Sequence, residues 1–265
     1  MPTTLLELRE VGKVFGDTVA LAPTSLAIEE GSFVAIVGPS GCGKSTMFNV
    51  IAGLLRPDGG EVVLRGATIT ATTGHVGYML QKDLLLPWRS VLDNALLGVE
   101  LRGGRPQARR AAAEAMLARY GLAGQLRAYP HSLSGGQRQR VALTRTLLVA
   151  PSVLLLDEPF SALDYETRLM LEDDVLALSG GQGMSVVLVT HDIDEAIAMS
   201  DRVIVLGGRP ARVREDIAIR LTLDGPRDAV GARAAPEFRA YHTRIWAALK
   251  APVGAPVEAT VETAP

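Results

Sequence analysis

The chain has 265 residues, 48% of them hydrophobic and 21% charged, with aromatics at 5%, one cysteine and a formal net charge of −2. That length allows one large domain or one domain with subdomains, and that composition excludes a disordered chain. The charge gives no support to a nucleic-acid partner held on a basic face, and the lone Cys42 excludes an internal disulfide, so a reducing compartment is expected. Met1-Pro2-Thr3-Thr4 lacks the basic and apolar regions of a signal peptide. No apolar run approaches the ~20 residues that span a bilayer, so a membrane role would be peripheral and run through a partner.

In chain order, Leu5 to Ile28 carries short apolar–polar alternations punctuated by Gly12, Gly16 and Pro23, which predicts a small antiparallel sheet. Phe33 to Val37 is an apolar run that reads as a buried strand, and Met47 to Leu55 reads as a helix. Glu61–Arg65 and His75–Met79 are strand candidates after the turn Pro57-Asp58-Gly59-Gly60. From Val91 to Ala150 the pattern is helical, with Ala108–Tyr120 stopped by Gly121 and Ser134–Ala150 ended by Pro151. Val153–Leu156, Val186–Val189 and Val203–Leu206 read as buried parallel strands, alternating with helices over Glu166–Leu178 and Asp194–Met199. The order implies an α/β core with a β annex and an α annex. Gly225–Pro236 reads as a linker. Phe238, Tyr241, Ile245 and Leu249 recur at helical spacing and predict an amphipathic helix docked on the body. Ala251–Pro265 has no periodicity and reads as disordered.

The chemistry concentrates at Gly38-Pro39-Ser40-Gly41-Cys42-Gly43-Lys44-Ser45-Thr46, between the Phe33 strand and a helix. It fits G-x-x-x-x-G-K-[ST], a phosphate-binding loop. Glycines let backbone N–H groups turn inward around a phosphate, and the first helical turn adds unpaired N–H groups and a positive dipole end. Lys44 is placed to reach the β- and γ-phosphates, and Ser45 offers a hydroxyl to Mg²⁺. Cys42 reads as a small filler, although alkylation there would block binding by bulk. Asp157 ends an apolar strand and is followed by Glu158. Beside such a loop, Asp157 can hold Mg²⁺ directly or through water, and Glu158 can orient or deprotonate an attacking water.

Leu133-Ser134-Gly135-Gly136-Gln137 precedes a basic helical run from Arg138. Ser134 reads as an N-cap, and the glycines leave N–H groups open at a helix N-terminus. This second anion-binding end cannot easily serve the phosphates held by its own chain's loop. A head-to-tail pair of copies would let it cap the other copy's nucleotide. The same pentapeptide recurs at Leu178-Ser179-Gly180-Gly181-Gln182, where it runs into Gly183 and a strand, and there it reads as a flexible turn. His75, His131 and His242 share no metal-ligand spacing with Cys42, which argues against a zinc site. Asp173 and Asp174 read as a solvated helix face.

The phosphate loop, LSGGQ and VLLLDEP stretches resemble, in order and context, those of the ATP-binding-cassette (ABC) ATPases. The resemblance covers residues 5 to about 220. It implies a P-loop NTPase (RecA-like) core with an antiparallel β-subdomain and an α-helical subdomain over about 84–150, within an ATP-binding domain of 1–224. Residues 225–265 would then hold the linker, the short helix and the tail. Gln81 matches the family's Q-loop, Ser161-Ala162-Leu163-Asp164 its D-loop and His191 its switch histidine. Phe15 lies where the family stacks an aromatic on adenine, with a core phenylalanine as the alternative. The resemblance implies that Gly38 to Thr46 hold the triphosphate, and that Ser45, Gln81 and Asp157 arrange Mg²⁺ and water. It makes Glu158 the general base and has His191 contact it and the γ-phosphate. Ser134, Gly135, Gly136 and Gln137 would touch ATP on the opposite subunit, with Asp164 linking the two sites.

After Gln81, the run Leu84-Leu85-Leu86-Pro87-Trp88-Arg89-Ser90-Val91-Leu92-Asp93-Asn94 is similar to the nitrate/sulfonate/taurine importer branch, as is the Pro236-Glu237-Phe238 helix. That similarity implies docking of this segment on integral-membrane permease subunits, a solute-binding protein acting indirectly, no nucleic acid, and a peripheral place on the cytoplasmic face of the inner membrane. The plainer alternative is that Trp88 and its leucines only pack the helical annex. The competing classes are a soluble ABC ATPase acting on nucleic acid or ribosomes, against which the short Gln81–Ser134 insert and single cassette argue, and a regulator without turnover, against which Glu158 and His191 argue.

Overall fold

A computed structural model describes residues 3–69 and 76–251. His75, Met1, Pro2 and the tail from Pro252 lie outside the described residues. Two sheets organise the molecule. β1 (Thr4–Phe15), β2 (Thr18–Glu29), β4 (Gly59–Leu64) and the short β5 (Ala67–Thr68) form an antiparallel sheet in the order β2-β1-β4-β5. β3 (Phe33–Val37), β6 (Val76–Met79), β7 (Val153–Asp157), β8 (Ser185–Thr190), β9 (Arg202–Gly207) and β10 (Arg212–Ala218) form the second, in the order β10-β9-β3-β8-β7-β6. All its pairings are parallel except that of β10 with β9.

The continuous apolar runs become the central strands because both sheet faces are covered. Every residue of β3, β7 and β8 is buried. Side chains alternate across the sheet. Val34 and Ile36 face α1 (Lys44–Ile51) and the antiparallel sheet, while Ala35 and Val37 face α6 (Ile193–Met199) and α8 (Phe238–Lys250). The helical annex comprises α2 (Val91–Leu101), α3 (Pro106–Arg119) and α4 (Gly135–Leu147) and joins a third cluster under β7. Each start has a local cause. Ser90 caps α2 by accepting from the Asp93 N–H, Pro106 opens α3, and Ser134 caps α4.

Three expectations change. Within the stretch predicted as a linker, Ala229–Ala234 form a helix, α7. Asp228 caps it, and Arg233 makes a fork of two bonds, 2.7 and 3.0 Å, to the fully buried Glu172 of α5 (Tyr165–Gln182). A buried carboxylate demands such a partner, and local composition does not reveal it. Asp173 and Asp174 are not a solvated face. Asp173 accepts from the Ala229 N–H at 2.7 Å, and Asp174 pairs with Arg119. The second LSGGQ is helical, not a turn: α5 runs through Gln182 and stops at Gly183, whose φ of 64° is left-handed. The Phe238–Leu249 helix forms as expected, burying Ile245 and Ala248.

Candidate active site

The phosphate loop leaves β3 at the sheet's centre and enters α1. Its glycines answer to space and backbone. A Cβ at Gly38 would lie 2.9 Å from both the Cys42 Sγ and the Leu206 carbonyl, and Gly43 adopts φ 105° with its missing Cβ 2.7 Å from the Ala20 carbonyl. α1 has no side-chain cap and no acid in its first turn, so its N–H groups face an anion site unopposed. The buried Lys44 ammonium donates to the carbonyls of Gly38 (2.7 Å) and Pro39 (2.9 Å), folded across its own loop. Cys42 is buried behind the loop.

Parallel strands carry their chemistry at their C-terminal ends, and β8 lies beside β3 with β7 next to β8. Asp157, the last residue of β7, accepts from the Ser45 hydroxyl at 3.1 Å. Burial raises its pKa and the neighbouring Glu158 adds to the rise, while Ser45 and Lys44 oppose it. Two hard oxygen donors this close, one a carboxylate, suit Mg²⁺.

Glu158 follows with a left-handed φ of 50°, a conformation that costs a non-glycine residue about 1–2 kcal/mol. It persists because the surroundings hold it. The Glu158 N–H donates to the Val189 carbonyl at 2.8 Å, and its own carbonyl accepts from the Gln139 amide at 3.1 Å. Its side chain accepts from the Gln81 amide at 2.9 Å and lies 3.4 Å from His191 Nδ1. Gln81 follows β6 and His191 follows β8, so two separate strand ends converge on one carboxylate.

Most of these groups line a cleft of ≈ 470 Å³, while Gly38, Pro39, Cys42, Gln139 and His191 lie outside its lining. Of the predicted residues it contains Phe15, Ser40, Gly41, Gly43, Lys44, Ser45, Thr46, Gln81, Asp157 and Glu158. Phe15, at the end of β1, is 50% exposed and so is no core residue, and the Lys13 ammonium stands 5.6 Å from its ring centroid. The Ser134 helix end is built as predicted but lies elsewhere. Ser134 and Gln137 form a reciprocal capping box, with the Ser134 N–H donating to Gln137 at 2.8 Å. Ser134 and Gly135 are exposed, and none of residues 134–137 lines the cleft. Asp164 caps α5 by accepting from the Thr167 N–H at 2.9 Å, and it too is outside the cleft.

Sequence reasoning missed four residues of the cleft: Thr18, Val19 and Ala20 of β2, and Arg209 of the β9–β10 turn. It also missed Gln139, buried in α4, whose amide bridges the Glu158 carbonyl and the Ala162 N–H (3.2 Å). Arg209 follows a strand that was legible, but only the sheet order puts that strand's end beside the phosphate loop.

A family model described as ABC transporter matches residues 21–161. The chain belongs to the ABC transporter family. This ABC cassette is 46% identical over 236 residues to the aliphatic sulfonates import ATP-binding protein SsuB 1 of Xanthomonas axonopodis pv. citri (strain 306), covering 89% of this chain and 93% of that relative. It is 42% identical to the uncharacterized ABC transporter ATP-binding protein YtlC of Bacillus subtilis (strain 168), covering 86% of this chain and 88% of the relative. Among solved structures it is similar to the ATP-binding cassette MJ0796, dimeric and bound to ADP and phosphate, with a TM-score of 0.75 and 33% identity, covering 82% of this chain and 99% of that one. The cassette is an ATPase with a P-loop core, an antiparallel β-subdomain and a helical subdomain. Among its described residues, no helix is long and apolar enough to cross a membrane.

Proposed function

We propose that this ATPase powers an importer for a small anionic solute of the nitrate, sulfonate or taurine type, working as a head-to-tail pair of copies beneath a separate permease. The observation that carries the reading is the split between two anion-binding ends in one chain. The Lys44 loop and the Glu158 cluster share a cleft, while the exposed Ser134 helix end lies outside it. A second copy turned head to tail would bring its Ser134, Gly135, Gly136 and Gln137 to this copy's phosphates, with Asp164 near the junction. The dimeric MJ0796 cassette supports that arrangement. The sulfonate-import relative supports the solute class.

The cleft's residues divide the work. The loop's N–H groups and α1's first turn hold the phosphates. Lys44 exchanges the Gly38 and Pro39 carbonyls for phosphate oxygens, which it binds more strongly. Ser45 and Asp157, with Gln81 nearby, would hold Mg²⁺, which when bound neutralises charge on the phosphate oxygens. Glu158 takes the proton of the attacking water, with Gln81 and His191 fixing its two oxygens. Phe15 stacks on adenine from the cleft's outer end.

Trp88 is 71% exposed and Leu84 54%, whereas Leu85 between them is buried. Apolar side chains presented outward beside a packed leucine support docking on the permease rather than packing of the helical annex alone. The cassette would then sit on the cytoplasmic face of the inner membrane. Glu158→Gln should keep ATP binding, lose at least ~10³-fold in turnover, and trap a dimer visible by sedimentation. Normal turnover would sink the assignment of the base. Reconstitution with the permease then reads the solute: a sulfonate-loaded binding protein should stimulate the ATPase, and co-purification with ribosomes or DNA instead would favour the soluble class.

A further inference from the structure

The sequence motifs give the phosphate cleft a single cation, Lys44, but the fold gives it a second. Arg209 stands on the turn between β9 and β10 and lines the same cleft as Phe15 and Lys44. The turn is pinned from two sides. The Ala211 N–H donates to the Ala20 carbonyl at 3.3 Å, and the Ala22 N–H donates to the Ala211 carbonyl at 3.1 Å, which ties the turn to β2. The Ala211 methyl stands 3.0 Å from where a Cβ on Gly43 would be, so the turn also abuts the phosphate loop. An arginine on this support is aimed by backbone.

Its guanidinium lies over Gly41, where an added Cβ would be 2.9 Å from Nη2. Its nearest acceptor, the Ser40 carbonyl, is 3.5 Å away, too far for a strong bond. Among the described residues it makes no ion pair. The cleft's acids are engaged elsewhere, Asp157 with Ser45 and Glu158 with Gln81 and His191. An exposed arginine is ordinarily a solvated one. This one instead keeps its donors uncommitted at the mouth of a loop whose ligand is a polyanion.

We propose that Arg209 is a nucleotide-binding residue, which adds a second cation to the phosphate chain from the Gly41 end of the loop. A planar guanidinium with paired donors matches phosphate oxygens, where Lys44 acts as a point charge. The contact would also couple the nucleotide to the β9–β10 turn, and through it to β2 beside the adenine end.

The test is nucleotide affinity of the full chain, by calorimetry with MgADP, MgATP and AMP, at concentrations where sedimentation shows one copy. Arg209→Ala should weaken MgADP and MgATP about tenfold, a change of ~1.4 kcal/mol, and AMP less than twofold. Arg209→Lys should recover part of the loss, because charge survives without the fork. Phe15→Ala should weaken all three nucleotides alike, since adenine is common to them. Arg209→Gln guards against a folding artefact: it keeps the aliphatic stem and a polar end on the turn but loses the charge and the guanidinium's reach, and an unchanged melting temperature with lost MgADP affinity supports the contact. MgADP binding within twofold of wild type in Arg209→Ala would overturn the proposal. So would an equal loss for AMP, which would mean that the turn has moved. A defect confined to the dimer trapped by Glu158→Gln would overturn it too, and would put Arg209 against the second copy instead.

Discussion

Leu-Ser-Gly-Gly-Gln stands at 133–137 and again at 178–182, and the two copies fold at opposite ends of helices. The first begins α4: Pro130 and a short 3₁₀ turn break the chain before it, so Ser134 takes an extended conformation and caps the N-terminus. The second ends α5: the chain before it is unbroken helix from Tyr165, so Ser179 is carried inside, buried to 7%, and Gly183 closes the helix. The first presents open N–H groups and a positive dipole end, and the second presents neither. What five residues can bind is decided by the residues before them.

The largest effect should come from filling the first copy's close approach. A Cβ at Gly136 would lie 2.9 Å from the Ala162 carbonyl, so Gly136→Val must push α4 from the Ser161–Asp164 loop. Misplacement of that kind should lower ATP turnover by about 10²-fold, measured by phosphate release. Next is the cap. Ser134→Ala should cost α4 about 1 kcal/mol and turnover about tenfold. Single-copy ATP affinity should stay within twofold, because Ser134 is outside the cleft. A large loss of single-copy affinity would return the first copy to its own chain's nucleotide.

A smaller effect probes what α5 packs against. Burial lifts the Glu195 carboxyl to about 8, with the charges of Glu172 on α5 and Asp192 adding to the rise and Thr190 and Arg168 opposing it. Among the described residues, its Oε1 is buried without a partner. The folded chain therefore keeps a proton that the unfolded chain loses near 4.5. Stability from this group is full below that value and falls as pH rises towards about 8. Glu195→Gln should flatten the slope. It should be on the order of 1 kcal/mol more stable than wild type at pH 9 in urea melts, the gap closing towards pH 5. A gap independent of pH would mean that the carboxyl titrates normally. The smallest effect belongs to the second copy. Ser179→Ala removes a long bond, 3.4 Å, to the Gly31 carbonyl. Turnover should stay within twofold and stability within about 1 kcal/mol. A tenfold loss of turnover would erase the distinction between the copies.

Much was legible where the signal is local. The glycines, Lys44 and Ser45 of the loop declare their backbone in the residue types themselves. The apolar runs ending at Val37, Asp157 and Thr190 declare strands buried on both faces, because only such strands dispense with alternation. The cap at Ser134 was readable from its residue type ahead of a helical run, and the structure adds the reciprocal bond with Gln137. The hidden features depend on partners far along the chain. The α7 helix rests on Glu172, 61 residues before Arg233, and the second LSGGQ was misread because the helix feeding it outlasts its local signals.

The chain's residue order alone determined that a phosphate loop, a strand-end acid pair and a capped helix end exist, since each is set by neighbours a few positions apart. Only the tertiary structure decided which of them meet. The order of strands in the larger sheet gathers Lys44, Gln81, Asp157, Glu158 and Arg209 in one cleft and leaves Ser134 outside it. Strand order is a property of pairing across long loops, which no short stretch of sequence carries.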